Sequence, residues 1–433
     1  MKKRFLAAVL ALLLTIAVMP MAVADSIGTF DVPEGYDETD YYAALAFLEI
    51  EDENGIKNGT KIRSDYNPEN PETWWFIDSD EFNWGFIWYE TDEGKILGTI
   101  DLYHMDVVGV MDMSLCRNLD TFVVLYTEVS EIIAPDTMLP LTISASFNPM
   151  LSVIDTTRCT SNLEMIFAHD NQNLINLDLS ENTGLVSIYA DNNSNLMSLE
   201  LPHTETLSSI DCYNCDLSSL DLTGLSGLRM LQCYSNHLNA LDVSDCNVLM
   251  NLDCHANELT ELDLSTNGLL FCLDCTGNNI NELDFSNNTN IQINGIIAEG
   301  DGSIADKTWQ PPFYFDDLIT YTAYAQPESG SEFLGWFNED GELLSTEYAL
   351  DYSSLLGQNI RLIARFTGGE ALPGDIDGSG AVNINDALLA LRAAMGIIEL
   401  TPEQISAGDM NGNGSIGVDD AVMILRIAMG LIN

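Results

Sequence analysis

The sequence predicts a multidomain α+β protein in which a β-solenoid, a small β-rich module and a helical C-terminal domain follow one another. The middle of the chain repeats every 21 residues, the next segment alternates apolar and polar residues, and one acid-rich phrase occurs twice near the C-terminus. The expected segments are a signal peptide at 1–24, an N-terminal cap region at 25–96, the solenoid at 97–300, the β module at 306–367, a linker at 368–373 and the C-terminal domain at 374–433.

The chain opens with MKKRFLAAVLALLLTIAVMPMAVADS, in which three basic residues precede an apolar run and Ala22-Val23-Ala24 forms a small-x-small cleavage site. This arrangement is typical of a secretory signal peptide. No later stretch is long and apolar enough for a membrane span. We therefore expect a secreted protein that is extracellular or associated with the cell surface.

The formal net charge is −52. Nucleic acids and anionic membranes are poor partners for such a chain, because phosphate binding requires Lys and Arg. Metal cations and neutral or cationic partners suit it better. The sequence contains no P-loop, no GxSxG and no HExxH, so it offers no catalytic motif, and we expect a protein that is not an enzyme.

Two columns of aliphatic residues mark the repeat. One contains Leu228, Leu249, Leu270 and Ile291, and the other contains Leu217, Leu238, Leu259 and Ile280. Weaker half-units extend back to Leu151, and degenerate ones begin near Leu97. One coil cannot bury its own apolar side, so coils stack and share a core. The pattern LxxLxCxxNxL resembles bacterial leucine-rich repeats, and this resemblance implies a β-solenoid with a binding face for protein or carbohydrate.

The nine cysteines include two C-x-x-C pairs, Cys212/Cys215 and Cys272/Cys275, which raise the alternative of structural zinc. The repeat favours core packing instead, because a column of four cysteines recurs at the 21-residue period: Cys212, Cys233, Cys254 and Cys275. Stacked strands lie about 4.8 Å apart, whereas a disulfide requires Cβ atoms about 3.8 Å apart. Side-chain alternation predicts that Cys272 faces outward and Cys275 inward.

Two polar columns accompany the cysteines. Asn236, Asn257 and Asn278 are expected to bond backbone groups in the turns, with Cys215 at the equivalent position. An aspartate column contains Asp221, Asp242, Asp263 and Asp284. Each aspartate is expected to cap local backbone N–H groups, and the alternative is a column that collects Ca²⁺.

Outward residues of the strand beside the cysteines form a candidate ligand face. Its members are Phe167, Tyr189, Tyr213, Tyr234, Asp253 and His255. Aromatic rings beside acids could stack on sugars or hold a protein segment.

The flanks show different patterns. Residues 36–50 carry Ala and Leu at helical spacing, and four tryptophans follow within residues 73–90. We interpret this region as the cap that covers the solenoid end, with an aromatic carbohydrate platform as the alternative. After the repeats, strands are predicted at Ile319–Tyr324, Phe333–Phe337 and Ile360–Phe366. The stretch FLGWFNEDGELLS resembles a divergent InlB-type B-repeat of bacterial surface proteins, which implies a spacer or binding module.

The doubled phrase is GDIDGSGAVNINDALLALRAAMG from Gly374 and GDMNGNGSIGVDDAVMILRIAMG from Gly408. Alternate oxygens around a twelve-residue loop suit Ca²⁺, with a glycine at position six for the sharp turn. The first loop offers Asp375, Asp377, Ser379, the Ala381 carbonyl, Asn383 and Asp386. The second offers Asp409, Asn411, Asn413, the Ser415 carbonyl and Asp420. Gly417 has no side chain at position nine, so water must substitute, and fewer carboxylates predict weaker binding in the second loop.

Position twelve is Asp rather than the Glu of an EF-hand, and no good helix is expected before either loop. Each loop instead leads into one apolar helix, and two such units in about 60 residues resemble a type I dockerin. The resemblance implies two bound Ca²⁺ ions and a cohesin domain of a scaffoldin as partner. It places partner contacts at Ile384, Asn385, Leu391, Arg392, Val418, Asp419, Leu425 and Arg426. The family's small hydroxyl residues and paired basic residues are not complete here, and the near-duplication implies an approximate two-fold.

These features together predict a secreted, non-catalytic binding protein that docks to a cohesin in a cellulosome-like or cell-surface assembly for polysaccharide degradation. One alternative is a dockerin-bearing polysaccharide-degrading enzyme, an O-glycosyl hydrolase. A solenoid offers no enclosed cleft, however, and no carboxylate pair qualifies as acid and base. A surface adhesin is the other alternative.

Overall fold

The structure is a computed structural model that describes residues 30–77, 82–288, 290–291, 293, 295–309, 320–328, 331–356, 358, 360–367, 373–376, 382–398, 400–429 and 431. The predicted signal peptide and most of the predicted linker lie outside these residues. The chain divides into two compact units, the first ending at His237 and the second beginning at Leu238. None of the described helices is long and apolar enough to cross a membrane.

The first unit begins with a cap. It contains helices α1 (Glu38–Leu48) and α2 (Asn58–Ile62), a 3-10 turn (Pro71–Thr73) and strands β1 (Trp75–Ile77) and β2 (Asn83–Thr91). Trp74 is fully buried, and its ring lies 5.0 Å from that of Tyr41. Asp40 accepts the backbone N–H of Leu97 at 2.9 Å, which joins α1 to the strand after β2. The region therefore contacts the first long strand of the solenoid, and its role as a cap stays a prediction.

The solenoid of the first unit follows as a series of short strands. They are β3 (Gly94–Tyr103), β4 (Val108–Asp112), β5 (Thr121–Leu125), β6 (Glu128–Ile133), β7 (Leu141–Ser144), β8 (Val153–Asp155), β9 (Leu163–Phe167), β10 (Asn176–Asp178), β11 (Ser187–Tyr189), β12 (Ser198–Glu200), β13 (Ser209–Asp211) and β14 (Met230–Gln232). The main sheet is ordered β1-β2-β3-β5-β7-β9-β11-β13-β14. Parallel pairing starts between β3 and β5, so regular coils already begin in the degenerate segment near Leu97. The opposite side carries the small sheets β4-β6-β8 and β10-β12.

Each coil makes the same left-handed turn after its main-sheet strand. The residues at this turn are His104, Tyr126, Phe147, Asp170, Asn192, Asn214, Ser235, Ala256 and Gly277, all with φ between 52° and 70°. A residue other than glycine is strained in this region, yet Tyr126 and Phe147 are bulky. Their rings stack at 4.4 Å with an interplanar angle of 4°. Stacking between successive coils therefore accompanies the strained backbone.

All nine cysteines are free and buried. The column that contains Cys212 and Cys233 is continued in earlier coils by the buried small residues Ala145, Ala168 and Ala190. Among the described residues, the groups that bring three metal-ligating side chains together contain no cysteine. Cysteine therefore packs in this core as a small apolar side chain.

Cys272 was predicted to face outward from its strand, yet this side chain is only 5% exposed. Further strands extend the sheet beyond it, and Tyr321 lies near the thiol. Cys272 lies on β16, which would be the edge strand if the sheet ended with the solenoid, but β19 pairs with it here.

The second unit continues with strands β15 (Asn251–Asp253), β16 (Cys272–Asp274), β17 (Glu282–Asp284), β18 (Gly295–Glu299), β19 (Gly302–Trp309), β20 (Thr320–Pro327), β21 (Phe333–Phe337), β22 (Leu343–Ser345), β23 (Ala349–Asp351) and β24 (Arg361–Phe366), with a 3-10 turn at Ser353–Leu355. One sheet contains β15-β16-β19-β20-β23 and another contains β17-β18-β24-β21-β22. The three predicted strands correspond to β20, β21 and β24, although Ile319 lies outside the described residues.

The β module shares its sheets with the last solenoid strands. β19 pairs with β16, and β18 joins β17 to β24. The interval between the expected end of the solenoid at residue 300 and the expected start of the module at residue 306 lies mostly within β19. The last solenoid strands and the predicted module thus share both sheets, and the boundary between them stays a prediction.

The C-terminal domain contains helices α3 (Ile384–Ala394), α4 (Pro402–Gly408) and α5 (Val418–Ala428). The expectation that no good helix precedes either loop was wrong for the second loop, since α4 ends directly before Asp409. Its signal is the segment Thr401-Pro402-Glu403-Gln404, in which Thr401 and Gln404 form a capping box and proline occupies the first helical position.

Candidate functional site

The two loop–helix units share one small core. Ile376 from the first loop packs with Ala387 and Ala390 of α3 and with Ala421 and Ile424 of α5. Gly374 donates its N–H to the carbonyl of Ala407 at 2.7 Å, which links the first loop to α4. One unit alone would expose this apolar face, so the duplication has a packing reason.

The second loop brings its predicted ligands onto one tight turn. Asp409 accepts the backbone N–H groups of Asn413 and Gly414 at 3.0 and 2.6 Å. Asn411 also accepts the N–H of Asn413, at 3.1 Å. Asn413 accepts the N–H and the hydroxyl of Ser415 at 3.0 and 2.7 Å. Gly414, at loop position six, has φ 83°, which is the left-handed turn that the position requires.

Asp420, at position twelve, is completely buried. Its Oδ1 accepts the N–H of Met410 at 3.0 Å and its Oδ2 accepts the N–H of Gly417 at 2.8 Å. Gly417 is the N-cap of α5. The sequence assigned Asp420 only to metal binding, but it also caps the helix.

The described part of the first loop follows the same plan. Asp375 is 8% exposed and Asp386 is fully buried. Asp386 accepts the N–H of Asn383 at 2.8 Å, and Asn383 caps α3 by accepting the N–H of Asn385 at 2.8 Å. The predicted ligands Asp377, Ser379 and Ala381 lie outside the described residues.

The second loop fits a hard cation. Its side-chain donors are oxygens of carboxylates and amides, as Ca²⁺ prefers. Within the described part of the chain, no Lys or Arg forms a salt bridge with Asp409 or Asp420. A fully buried carboxylate such as Asp420 requires compensation for its charge. A bound Ca²⁺ would supply that compensation and order the loop.

The predicted partner contacts are only partly exposed. Ile384 and Val418 are 67% and 55% exposed, and Asn385, Asp419, Arg392 and Arg426 are also exposed. Leu391 and Leu425, by contrast, pack against the domain core. Both leucines are half-buried, and their role as partner contacts stays a prediction.

Sequence reasoning missed other exposed apolar residues on the same helices. Leu388 and Val422 lie one turn after Ile384 and Val418, and each is 44% exposed. Met395 and Met429 are also exposed. The spacing i, i+4 was the available signal. We call the exposed set the docking stripes, with Ile384, Leu388, Arg392 and Met395 on α3 and its C-cap, and Val418, Val422, Arg426 and Met429 on α5 and its C-cap.

The candidate ligand face of the solenoid contains two separate aromatic pairs in the first unit. Phe167 and Tyr189 stack at 4.7 Å and 1°, and Tyr213 and Tyr234 stack at 4.4 Å and 6°. Strand register places Asp211, not Tyr213, beside Tyr189. The stacked rings cover each other's faces, so this surface presents mainly ring edges and hydroxyls. In the second unit, His255 and Asp253 form a pair with Nδ1 and Oδ1 2.6 Å apart.

The polar columns have the local roles expected of them. Asn236 donates to the carbonyls of Cys212 and Cys233 at 2.9 and 3.0 Å. In the aspartate column, each carboxylate accepts the N–H two residues later, as Asp263 does from Ser265 at 2.9 Å. This bond lowers the pKa of Asp263. Capping accounts for the aspartate column without a cation.

Comparison with protein families gives one match, since residues 373–427 match the model of the dockerin type I domain. None of the curated proteins matches the chain.

The solved structures that are similar to part of the chain include three bacterial proteins. The functional domain of InlJ from Listeria monocytogenes, described as including a cysteine ladder, is 22% identical with a TM-score of 0.30 over 43% of this chain and 36% of that one. A leucine-rich repeat protein of Leptospira interrogans is 14% identical with a TM-score of 0.19 over 42% and 67%. The internalin InlF of Listeria monocytogenes is 12% identical with a TM-score of 0.20 over 46% and 88%. The chain thus spans about a third of the InlJ domain.

The predicted dockerin resemblance is confirmed, whereas the B-repeat resemblance of residues 306–367 stays a prediction. The chain therefore carries a type I dockerin domain at residues 373–427 and a β-solenoid of the leucine-rich-repeat type.

Proposed function

We propose that this chain is a secreted, non-catalytic assembly component. Its dockerin, with one Ca²⁺ in each loop, docks to a cohesin of a scaffoldin in a cellulosome-like or cell-surface complex. The solenoid then holds a protein or carbohydrate ligand near that scaffold. The observation that carries the proposal is the matched pair of docking stripes on two calcium-type loop–helix units.

Each docking stripe combines three apolar side chains with one arginine. A monomeric domain gains nothing by exposing apolar side chains at equivalent positions of two helices. An apolar helix face that enters a partner's groove is a common mode of recognition. The equivalence of the stripes supports two alternative docking orientations, one led by α3 and one by α5.

Calcium supports docking indirectly. The ligand residues of the second loop end at Asp420, which also caps α5, so an ordered loop fixes the start of the helix that carries Val418 and Val422. Metal binding and helix position are therefore coupled. Removal of Ca²⁺ is expected to weaken docking although the stripes contain no calcium ligand.

A binding assay of the full chain against a panel of purified type I cohesins tests the docking proposal. Ile384→Asp with Leu388→Asp disables the α3 stripe, and Val418→Asp with Val422→Asp disables the α5 stripe. Each pair alone should weaken binding only a few-fold, whereas all four together should abolish it. Met138→Asp, at a highly exposed position outside the dockerin, is the control. Full affinity of the fourfold variant, or affinity unchanged by a calcium chelator, would refute the proposal.

The rival proposal of an O-glycosyl hydrolase is tested separately. Purified full chain incubated with plant polysaccharides should release no reducing sugar. Release that persists after chelation of Ca²⁺ would contradict the non-catalytic part of the proposal and leave the docking part intact. If the solenoid of the fourfold variant, which has lost both docking stripes, still bound its protein or carbohydrate ligand, the adhesin alternative would be favoured.

A further inference from the structure

A second group of metal-type side chains lies in the first unit, away from the dockerin. His169, Asp170 and Asp191 each offer one ligand atom, and these atoms lie within 4.8 Å of one another. His169 and Asp170 follow β9, and Asp191 follows β11 in the next coil. The Nδ1 of His169 lies 3.1 Å from Oδ2 of Asp170.

The surrounding coils hold these side chains in place. Asp191 is 7% exposed and accepts the side-chain N–H of Asn192 at 2.9 Å. The hydroxyl of Tyr213 also bonds Asp191. The ring of His169 packs nearly perpendicular to the ring of Phe147, with ring centroids 4.8 Å apart and an interplanar angle of 87°. Such supporting contacts orient ligands before a metal binds.

A neighbouring carboxylate provides a second, independent observation. The Oδ1 of Asp211 is buried and has no hydrogen-bond partner. Within the described part of the chain, no Lys or Arg forms a salt bridge with Asp170, Asp191 or Asp211. Three carboxylates and one imidazole therefore share this part of the sheet face without a permanent positive charge.

We propose that His169, Asp170 and Asp191 bind a divalent transition-metal ion, for which Zn²⁺ is the probe. An imidazole nitrogen with two carboxylates suits Zn²⁺, Mn²⁺ or Co²⁺ better than Ca²⁺, which prefers oxygen ligands alone. Ligands of tetrahedral Zn²⁺ lie about 3.3 Å apart for bonds of about 2.0 Å. The His169–Asp170 pair already has about this spacing, and since all three ligand atoms lie within 4.8 Å of one another, Asp191 reaches it by a shift of at most about 1.5 Å.

Three protein ligands leave at least one coordination position for water or for an oxygen of a bound molecule. The stacked pair Phe167–Tyr189 lies two residues before His169 and Asp191 in the same two coils, and Tyr213 of the other stacked pair bonds Asp191. A molecule bound to the metal would therefore lie close to aromatic side chains. The metal site does not depend on docking, since its residues belong to a different unit from the dockerin.

Calorimetric titration of the full chain with Zn²⁺, in excess Ca²⁺ to saturate the dockerin loops, tests the proposal. Co²⁺ titration followed by visible absorption reports the nitrogen–oxygen coordination. His169→Gln and Asp191→Asn should each weaken Zn²⁺ binding at this site about tenfold or more. They should also remove the visible absorption bands of Co²⁺ bound there. The control is His255→Gln, which alters a similar group of Asp253, His255 and Asp274 and should leave Zn²⁺ binding at the His169 site unchanged.

Two results would overturn the proposal. One is no saturable Zn²⁺ binding in excess Ca²⁺, and the other is binding that His255→Gln removes and His169→Gln retains. Circular dichroism checks the fold of each variant. If Asp191→Asn fails to fold, His169→Gln decides alone. In the wild-type chain, Co²⁺ should also broaden the NMR ring signal of His169, which is identified by its absence from His169→Gln.

Discussion

Asp420 accepts the backbone N–H of Met410 across the second dockerin loop, with Oδ1 and N 3.0 Å apart. The other oxygen of the same carboxylate accepts the N–H of Gly417 at the start of α5. One buried side chain thus closes the loop and caps the helix that follows it. This relationship couples three properties that the sequence presents separately: loop closure, helix position and cation binding.

Asp420→Ala should destabilise the dockerin by about 2–4 kcal/mol before any loss of calcium, because two half-buried N–H groups lose a charged acceptor. Asp419→Ala is the matched control, since Asp419 is exposed and, among the described residues, bonds the Asn411 amide at 2.8 Å. The control should cost no more than about 1 kcal/mol. Hydrogen exchange of residues 373–429 in the full chain, with chelator and with Ca²⁺, measures both. Equal effects of the two variants would contradict a structural role for Asp420.

Asn236→Ala should destabilise the solenoid by about 2–4 kcal/mol. Asn236 accepts the N–H of Leu217 at 3.0 Å and donates to three carbonyls, and alanine leaves these groups without that partner. Asn236→Cys should cost less, because Cys215 occupies the equivalent position and its thiol contacts the Ala190 carbonyl at 3.3 Å. Calorimetric unfolding of the full chain in Ca²⁺ compares them. A cysteine variant as unstable as the alanine variant would show that the thiol does not replace the amide.

Asp211→Asn should stabilise the solenoid at neutral pH. The folded pKa of Asp211 is raised to about 6, chiefly by burial, so the folded state binds the proton more tightly than the unfolded state. This carboxyl therefore opposes folding increasingly as pH rises from about 4 to about 6, and the cost is complete above that range. After allowance for solvent screening, we expect a gain of about 1–2 kcal/mol at pH 7 and none below pH 4.

Asp221→Asn is the control variant, because its effect on solenoid stability at neutral pH should be opposite to that of Asp211→Asn. Hydrogen bonds from Thr223 lower the pKa of Asp221, so its ionised form favours the folded state. The variant should slightly lower stability at neutral pH, and the difference should vanish as pH falls through the lowered pKa. The midpoint of solenoid unfolding, measured from pH 3 to pH 8 in zinc-free buffer, distinguishes the two. A stabilising effect of Asp211→Asn that is independent of pH would not fit a titrating carboxylate.

The cysteines should react with a thiol reagent only after unfolding. Burial raises the pKa of the Cys159, Cys215 and Cys246 thiols to about 12 and that of Cys212 well above its usual range. Since the thiolate is the reactive form, the native protein should react very slowly at pH 8. All nine cysteines should react rapidly in guanidinium. Mass spectrometry counts the modified residues, and fewer than nine reactive thiols in the unfolded, unreduced chain would reveal disulfides or another blocked form.

Much of the architecture could be predicted from the sequence because it depends on repetition. The 21-residue period of leucines and asparagines predicted stacked coils, and the dockerin phrase was recognisable because both copies agree in register. Helix α1 and strands β21 and β24 were predicted from local periodicity. Short-range patterns of this kind survive in the sequence, since each coil or helix must bury the same face.

Other features arise only when distant residues meet. The loop-closing role of Asp420 depends on the backbone N–H of Met410, ten residues away, and the burial of Cys272 depends on strands β19 and β20. Leu391 and Leu425 face the core because α3 and α5 pack against each other. The first coils lacked a clear repeat, yet His104, Tyr126 and Phe147 show their left-handed turns.

The sequence by itself determined the repeated core and the two calcium-type loops. In both, the same types of side chain recur at a fixed spacing within short segments of the chain. The tertiary structure decided which side chains share a surface. His169 and Asp191 are 22 residues apart in the chain, and neither belongs to a regular column of like residues. They become neighbours only because one full turn of the solenoid returns the backbone to the adjacent position in the sheet, where parallel strands lie about 4.8 Å apart.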